Sequence, residues 1–239
     1  KAENAPLVLV TATAREMCSF LPSSRDLPFL EEGKYYPWLH EGREYILMVT
    51  GIGPINAALA MGRLLGADLC PAGVLNVGIA GAFCIRKFTF GSKVLVSREI
   101  WPEFGLWTAN GLDCQGLGWA LGETAGGKVW DEIDLEPQSH CPCLGFSVPQ
   151  KVPEAVSLSV AGVTGFEERM HLLRERYQAE IENMEGFALA WSCLRQNVPF
   201  VEVRSISNLV GSRKKQDWSL KEGLKGLKDI FTWLSPIQD

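Results

Sequence analysis

Runs that are apolar or β-branched at nearly every position recur along the chain: "LVLVTAT", "AGVLNVG", "SKVLVSREI", "AVSLSVAGV" and "PFVEVRSIS". A strand with no polar face has to be covered on both sides. Between the runs stand segments with helical spacing, "GPINAALAMGRLLG" and "ENMEGFALAWSCLRQN", and "SLKEGLKGLKDIFTWL" predicts a terminal amphipathic helix. The stretch "KYYPWLHEGREYILMVTG" has the pattern of a hairpin. This alternation predicts an α/β fold, a central mixed β-sheet with helices on both sides. No repeat or linker divides the 239 residues, so one domain over 1–239 is expected. The Gly- and Trp-rich middle from Trp101 to Gln150 lacks periodicity and predicts long loops over a site or an interface.

A net charge of -5, with "SRKKQ" at 212–216 as the only basic cluster, argues against a nucleic-acid partner and leaves that cluster as a solvated loop. Seven cysteines form an odd set with no C-x-x-C pair, which predicts free thiols, no zinc site and a cytoplasmic location. The opening "KAENAPLVLVTATA" mimics a secretory leader, yet its apolar run is short and preceded by an acid, so a buried first strand is expected. No segment approaches the roughly 18 apolar residues of a membrane span.

In open α/β sheets ligands collect at strand ends. Here those ends carry "TATARE", "TGIGPIN", "NVGIAGAF" and "VRSISN". The glycines do not complete a dinucleotide fingerprint, because Asn56 stands where G-x-G-x-x-G needs its last glycine. Their better use is to let a small ligand approach the backbone.

"TATAREM", "TGIGPINAA", "NVGIAGAF", "ENMEG" and "VRSISN" together resemble, in order and spacing, the nucleoside phosphorylase and nucleosidase superfamily over almost the whole chain. Within it the chain looks most like the futalosine hydrolases, which release hypoxanthine from futalosine in menaquinone biosynthesis. The resemblance implies a nucleoside substrate with water as co-substrate, no cofactor and no metal. It also implies a homodimer or higher homo-oligomer whose partner helps close the site.

Cleaving an N-ribosidic bond passes through an oxocarbenium-like sugar, so a water-activating base, a grip on the ribose and a means of stabilising the leaving base are needed. By the resemblance, Glu16 activates the water, although an acid in a first helical turn is also favoured by the helix dipole. Glu185 accepts from the ribose hydroxyls, Met184 lies against the sugar, and Arg204 stands near the attacking water. Asn208, with Ser207 beside it, takes the place of the aspartate found in adenine-releasing relatives. An amide can donate to a 6-oxo group and accept from a protonated N7, which suits hypoxanthine. "AGVTGFEE" matches the loop bordering the purine, with Val163 at the hydrogen-bonding backbone position and Gly162 where relatives stack a Phe. Ile79, Ala80 and Gly81 line the other side. Trp218 and Ile52 lie over the 5' substituent, although Trp218 could equally staple the last helix. Arg15, Arg98 and Arg213 are the cations available to a carboxylate on the substrate tail.

An acid at "TATARE" would repel phosphate and favours hydrolysis. Arg15 keeps phosphorolysis of 6-oxopurine nucleosides open as the alternative, beside hydrolysis of another 6-oxopurine nucleoside or of methylthioadenosine or S-adenosylhomocysteine; a third role, a nucleoside sensor without catalysis, is opposed by the presence of Glu16, Glu185 and Arg204 together.

Overall fold

The computed structural model describes residues 5–23, 27, 29–67 and 69–234. In chain order these form β1 (Leu7–Thr11), α1 (Ala14–Phe20), β2 (Lys34–His40), β3 (Arg43–Val49), α2 (Pro54–Leu65), β4 (Gly73–Ala82) and β5 (Lys93–Ile100). Five three-residue strands follow: β6 (Leu106–Thr108), β7 (Gly111–Asp113), β8 (Gly122–Thr124), β9 (Gly127–Val129) and β10 (Glu132–Asp134). The remainder is α3 (Pro137–Leu144), β11 (Glu154–Ser159), α4 (Glu167–Tyr177), β12 (Ile181–Asn183), α5 (Gly186–Arg195), β13 (Phe200–Leu209) and α6 (Leu220–Gly226).

β1 runs parallel to both β3 and β4, and β2 closes that side as a hairpin with β3. Glu41 and Gly42 both have positive φ at the hairpin tip, as a two-residue turn matched to strand twist demands. On its other side β4 pairs with β13 in parallel and with β12 antiparallel. β13 then pairs with β5, β5 with β11, and β11 with β12. The five strands β4, β13, β5, β11 and β12 therefore close on themselves, and β4 is the seam between this ring and the open half.

Alternation along each strand explains the absence of a polar face. Val8 and Val10 pack under α2 and α5 with Met61, Leu64, Leu189 and Cys193. Leu7 and Leu9, pointing the other way, pack under α1, α3 and α6 with Met17, Phe20, Leu144 and Leu227. Helices thus cover both faces of a mixed sheet, as the patterning predicts.

Four expectations need correction. The middle segment is not loop over a site: it forms two small hairpins, an edge strand and α3, and none of its described residues lines the main cavity. Strands of three residues are too short to show a period. The terminal helix stops at Gly226, with only a 3₁₀ turn at Phe231–Trp233, because Asp229 adopts φ +67. "ENME" is not helical; Ile181–Asn183 pair in the sheet and α5 begins at Gly186. Finally, "FEE" leads into α4, a helix that buries only Leu173 and so carries no apolar stripe.

Candidate active site

The turn after β1 runs straight into α1, and its first residues cap it. Thr13 Oγ1 accepts the backbone N–H of Glu16 at 3.3 Å, while Glu16 Oε2 accepts from Thr13 N at 2.9 Å and Thr13 Oγ1 at 2.7 Å. This is a reciprocal capping box. The other oxygen, Oε1, leaves the helix and accepts the backbone N–H of Ile79 on β4 at 3.0 Å. Glu16 is buried and lines a cavity of about 450 Å³.

A second carboxylate enters from the start of α5. Glu185 is its N-cap residue; Oε1 accepts the N–H of Gly53 at 2.8 Å and Oε2 lies 4.0 Å from Arg204 Nη1. Burial pushes this carboxyl above the ordinary glutamate range, with the Arg204 guanidinium and the Gly53 N–H pulling the other way. Asn183 holds the turn, its Oδ1 accepting the N–H groups of Glu185 at 2.8 Å and Gly186 at 2.7 Å.

Arg204 itself does not line the cavity. It is 1% exposed, packed behind the wall, with Nε donating to Glu202 Oε1 at 2.7 Å and Nη2 to Asn183 Oδ1 at 3.4 Å. Gly78 makes this possible: a Cβ there would collide with Arg204 Nη1 and lie 3.1 Å from Glu16 Oε1.

The third polar group comes from an irregularity in β13. Ile206 pairs with Ala80 and Asn208 with Gly81, so Ser207 is an extra residue that re-aims the side chains around it. Ser207 Oγ lies 2.9 Å from Asn208 Oδ1 and 3.2 Å from Ala80 O, positioned to donate to either. A Cβ on Gly81 would lie 2.8 Å from Asn208 Nδ2, so glycine there leaves room for the amide. Glu182 also lines the cavity, its carboxylate taking Thr164 N at 2.9 Å and Thr164 Oγ1 at 2.6 Å while burial raises its pKa. One cavity therefore presents two buried carboxylates, each at a helix start, and an amide on a strand. That set provides a proton acceptor, a hydroxyl acceptor and a two-way hydrogen-bonding edge.

No family model matches the chain. It is 33% identical over 213 residues to futalosine hydrolase of Thermus thermophilus, an alignment covering 86% of this chain and 89% of that protein. The chain belongs to the futalosine hydrolase family. Futalosine hydrolase of Streptomyces coelicolor is 29% identical over 197 residues, 80% of this chain and 78% of that one. The solved futalosine hydrolase of Helicobacter pylori superposes with a TM-score of 0.74 over 98% of both chains at 15% identity, a likeness of fold.

Of the residues singled out in the sequence of this family member, Glu16, Ile52, Ile79, Ala80, Gly81, Val163, Met184, Glu185, Ser207, Asn208 and Trp218 line the one cavity. Arg204 stands behind it. Gly162 does not line it: the residue is exposed, and nothing lies within 4 Å of a Cβ built there. Trp218 is not a helix staple, since the position it would pack against is Gly223; its Nε1 instead donates to Ser212 O at 2.6 Å, and the Arg213 guanidinium sits 4.9 Å over its ring. Ile79, Ala80 and Gly81 lie within β4 rather than beyond its end. Sequence patterning missed Glu182, Asn183, Leu220 and Leu224, which also line the cavity, and the supporting Gly53, Gly78 and Glu202. The T-x-x-E spacing of Thr13 and Glu16 was a readable signal for the capping box.

Proposed function

We propose that the chain hydrolyses the N-ribosidic bond of futalosine, releasing hypoxanthine and dehypoxanthine futalosine in menaquinone biosynthesis. The observation that carries this reading is the convergence of Glu16, Glu185 and Asn208 on one cavity in a member of this family.

In this reading Glu16 takes a proton from the attacking water as the bond from ribose C1' to purine N9 breaks. Its three donors, Thr13 N, Thr13 Oγ1 and Ile79 N, fix the carboxylate without filling all its lone pairs. Glu185 accepts from the ribose hydroxyls, and Arg204 behind it holds its orientation. Met184 supplies an apolar surface to the sugar. Asn208 Nδ2 donates to the 6-oxo group and Oδ1 accepts from N7–H, so the purine leaves as a neutral base. Ile79, Ala80, Gly81 and Val163 border the purine, while Trp218 and Ile52 face the tail. For the tail carboxylate, Arg15 lines the cavity and Arg213 stacks on Trp218, whereas Arg98 is bound to Asp134 and Glu132.

We also infer a homodimer or higher homo-oligomer. Ile52, Ile55 and Leu59, around the start of α2 beside the cavity mouth, are 59%, 81% and 62% exposed, an apolar stripe that supports a partner there. Seven unpaired thiols support a cytoplasmic location. Among the described residues no helix is long and apolar enough to cross a membrane.

Arg15 at the cavity favours one competing reading, phosphorolysis. Product analysis after incubation with futalosine, inosine and methylthioadenosine, each with and without phosphate, tests both. Hypoxanthine release from futalosine without phosphate is expected; release only with phosphate, or only from another nucleoside, overturns the proposal.

A further inference from the structure

Behind the cavity, three ionisable side chains are buried together. Glu99 on β5 and Glu202 on β13 are both fully buried, and Arg204 is 1% exposed. The two carboxylates meet over the Cα of Gly186. A Cβ on that glycine would lie 2.6 Å from both Glu202 oxygens and closer still to Glu99 Oε1. Glu202 Oε1 is occupied by Arg204 Nε at 2.7 Å. Glu202 Oε2 is fully buried and has no hydrogen-bond partner. Glu99 accepts Asn183 Nδ2 at 2.6 Å on Oε1 and Ser159 Oγ at 2.7 Å on Oε2.

The charged groups facing this pair are Arg204 from its own strand and Glu185 from the start of α5; β11 and β12 contribute only the neutral Ser157, Ser159 and Asn183. With every acid ionised, one guanidinium would face the buried carboxylates of Glu99, Glu202 and Glu185, with that of Glu16 across Gly78, and a lone pair of Glu202 would stay buried without a donor. Desolvation makes such a state costly. One proton relieves both problems.

We propose that Glu99 and Glu202 hold a single proton between them, Glu99 donating it to the otherwise unpartnered Oε2 of Glu202, and that this pair is the positioning device for Arg204. Glu202 then remains a singly charged counterion to Nε, which fixes the plane of the guanidinium. Nη1 is thereby directed past Gly78 towards Glu185 and Glu16. Burial, followed by the neighbouring Glu202 charge, holds the Glu99 carboxyl well above the ordinary glutamate range, consistent with the geometry. The glycine of "ENMEG" is required because the two acids occupy the place of its side chain.

Infrared spectroscopy of the purified protein at pH 7.5 tests this without reference to any substrate, so its outcome is independent of the assigned activity. The wild type is expected to show the C=O stretch of a protonated carboxyl that shifts in D₂O and is missing from Glu99→Gln. In Glu202→Gln the buried Glu99 carboxyl keeps its proton but donates to a neutral amide in place of a carboxylate, so the same stretch is expected to move to higher frequency. Should Glu99→Gln not fold, the wild-type and Glu202→Gln spectra decide alone. Glu202→Gln is also expected to lower kcat/KM on the order of 10²-fold through misplacement of Arg204. A wild-type spectrum with no protonated-carboxyl stretch, or a stretch that persists unchanged in Glu202→Gln, overturns the proposal.

Discussion

Oε1 of Glu16 accepts the backbone N–H of Ile79 at 3.0 Å, tying the start of α1 to the middle of β4. The same carboxylate closes the capping box with Thr13. Glu16 thus has a structural and a chemical task, and the two respond differently to one substitution. Glu16→Gln is expected to lose about 1 kcal/mol of stability through the weakened cap, and on the order of 10²-fold or more in kcat through the lost base. Thermal unfolding and steady-state kinetics measure the two separately. Turnover within a factor of two of wild type rules Glu16 out as the base.

Glu185→Gln keeps an acceptor for Gly53 but removes the charge facing Arg204 and the ribose. It is expected to lower kcat/KM more than it weakens binding of a substrate analogue, and wild type should process 2'-deoxy substrate poorly for the same reason. Equal losses in binding and turnover would assign Glu185 a structural role only.

Asn208 tests the choice of leaving group. Buried donors and acceptors left unpaired cost about 1 to 3 kcal/mol each, so wild type is expected to prefer futalosine over its 6-amino counterpart. Asn208→Asp should move the ratio of kcat/KM values towards the 6-amino compound. An unmoved ratio means that Asn208 does not select the base.

Two glycine substitutions make a paired prediction. Gly78→Ala puts a methyl group into Arg204 Nη1 and beside Glu16 Oε1, and is expected to reduce kcat/KM by about 10²-fold. Gly62→Ala, inside α2 with nothing within 4 Å of the new Cβ, is expected to gain up to about 1 kcal/mol of stability. Unimpaired kinetics in Gly78→Ala would show that β4 yields at that point.

Glu182 carries a pH prediction. Burial raises its native carboxyl above the ordinary value of 4.5, so the native state binds the proton more tightly than the unfolded chain. The stability this provides is complete below that value and is lost as pH rises through the raised one. In Glu182→Gln, the amide can accept from Thr164 N and donate to Thr164 Oγ1 at any pH. Its Tm is therefore expected to fall less than that of wild type as pH rises above about 4.5; parallel curves would show that Glu182 does not titrate in this window.

The open half of the sheet and the two helices beneath it are local facts. Val8 and Val10 face one layer and Leu7 and Leu9 the other because side chains alternate along a strand, and that period is written in four consecutive residues. Most cavity residues were legible through the resemblance their motifs carry, and for Glu16 and Glu185 a local cause stands beside it, a capping box and a place at the start of α5. Glu202 and Arg204 share a strand face by the same period, so two of the three members of the buried cluster were available in principle. Glu99 was not. It reaches Glu202 only because β5 pairs with β13 far along the chain, and no local pattern encodes which strands become neighbours. The bulge at Ser207 and the gap at Gly186 belong to the same class. Sequence by itself determined which segments bury which faces, because that follows from covalent geometry and water. Tertiary structure alone decided which buried charges meet, because long-range pairing sets their distances, and distance and desolvation set their energies.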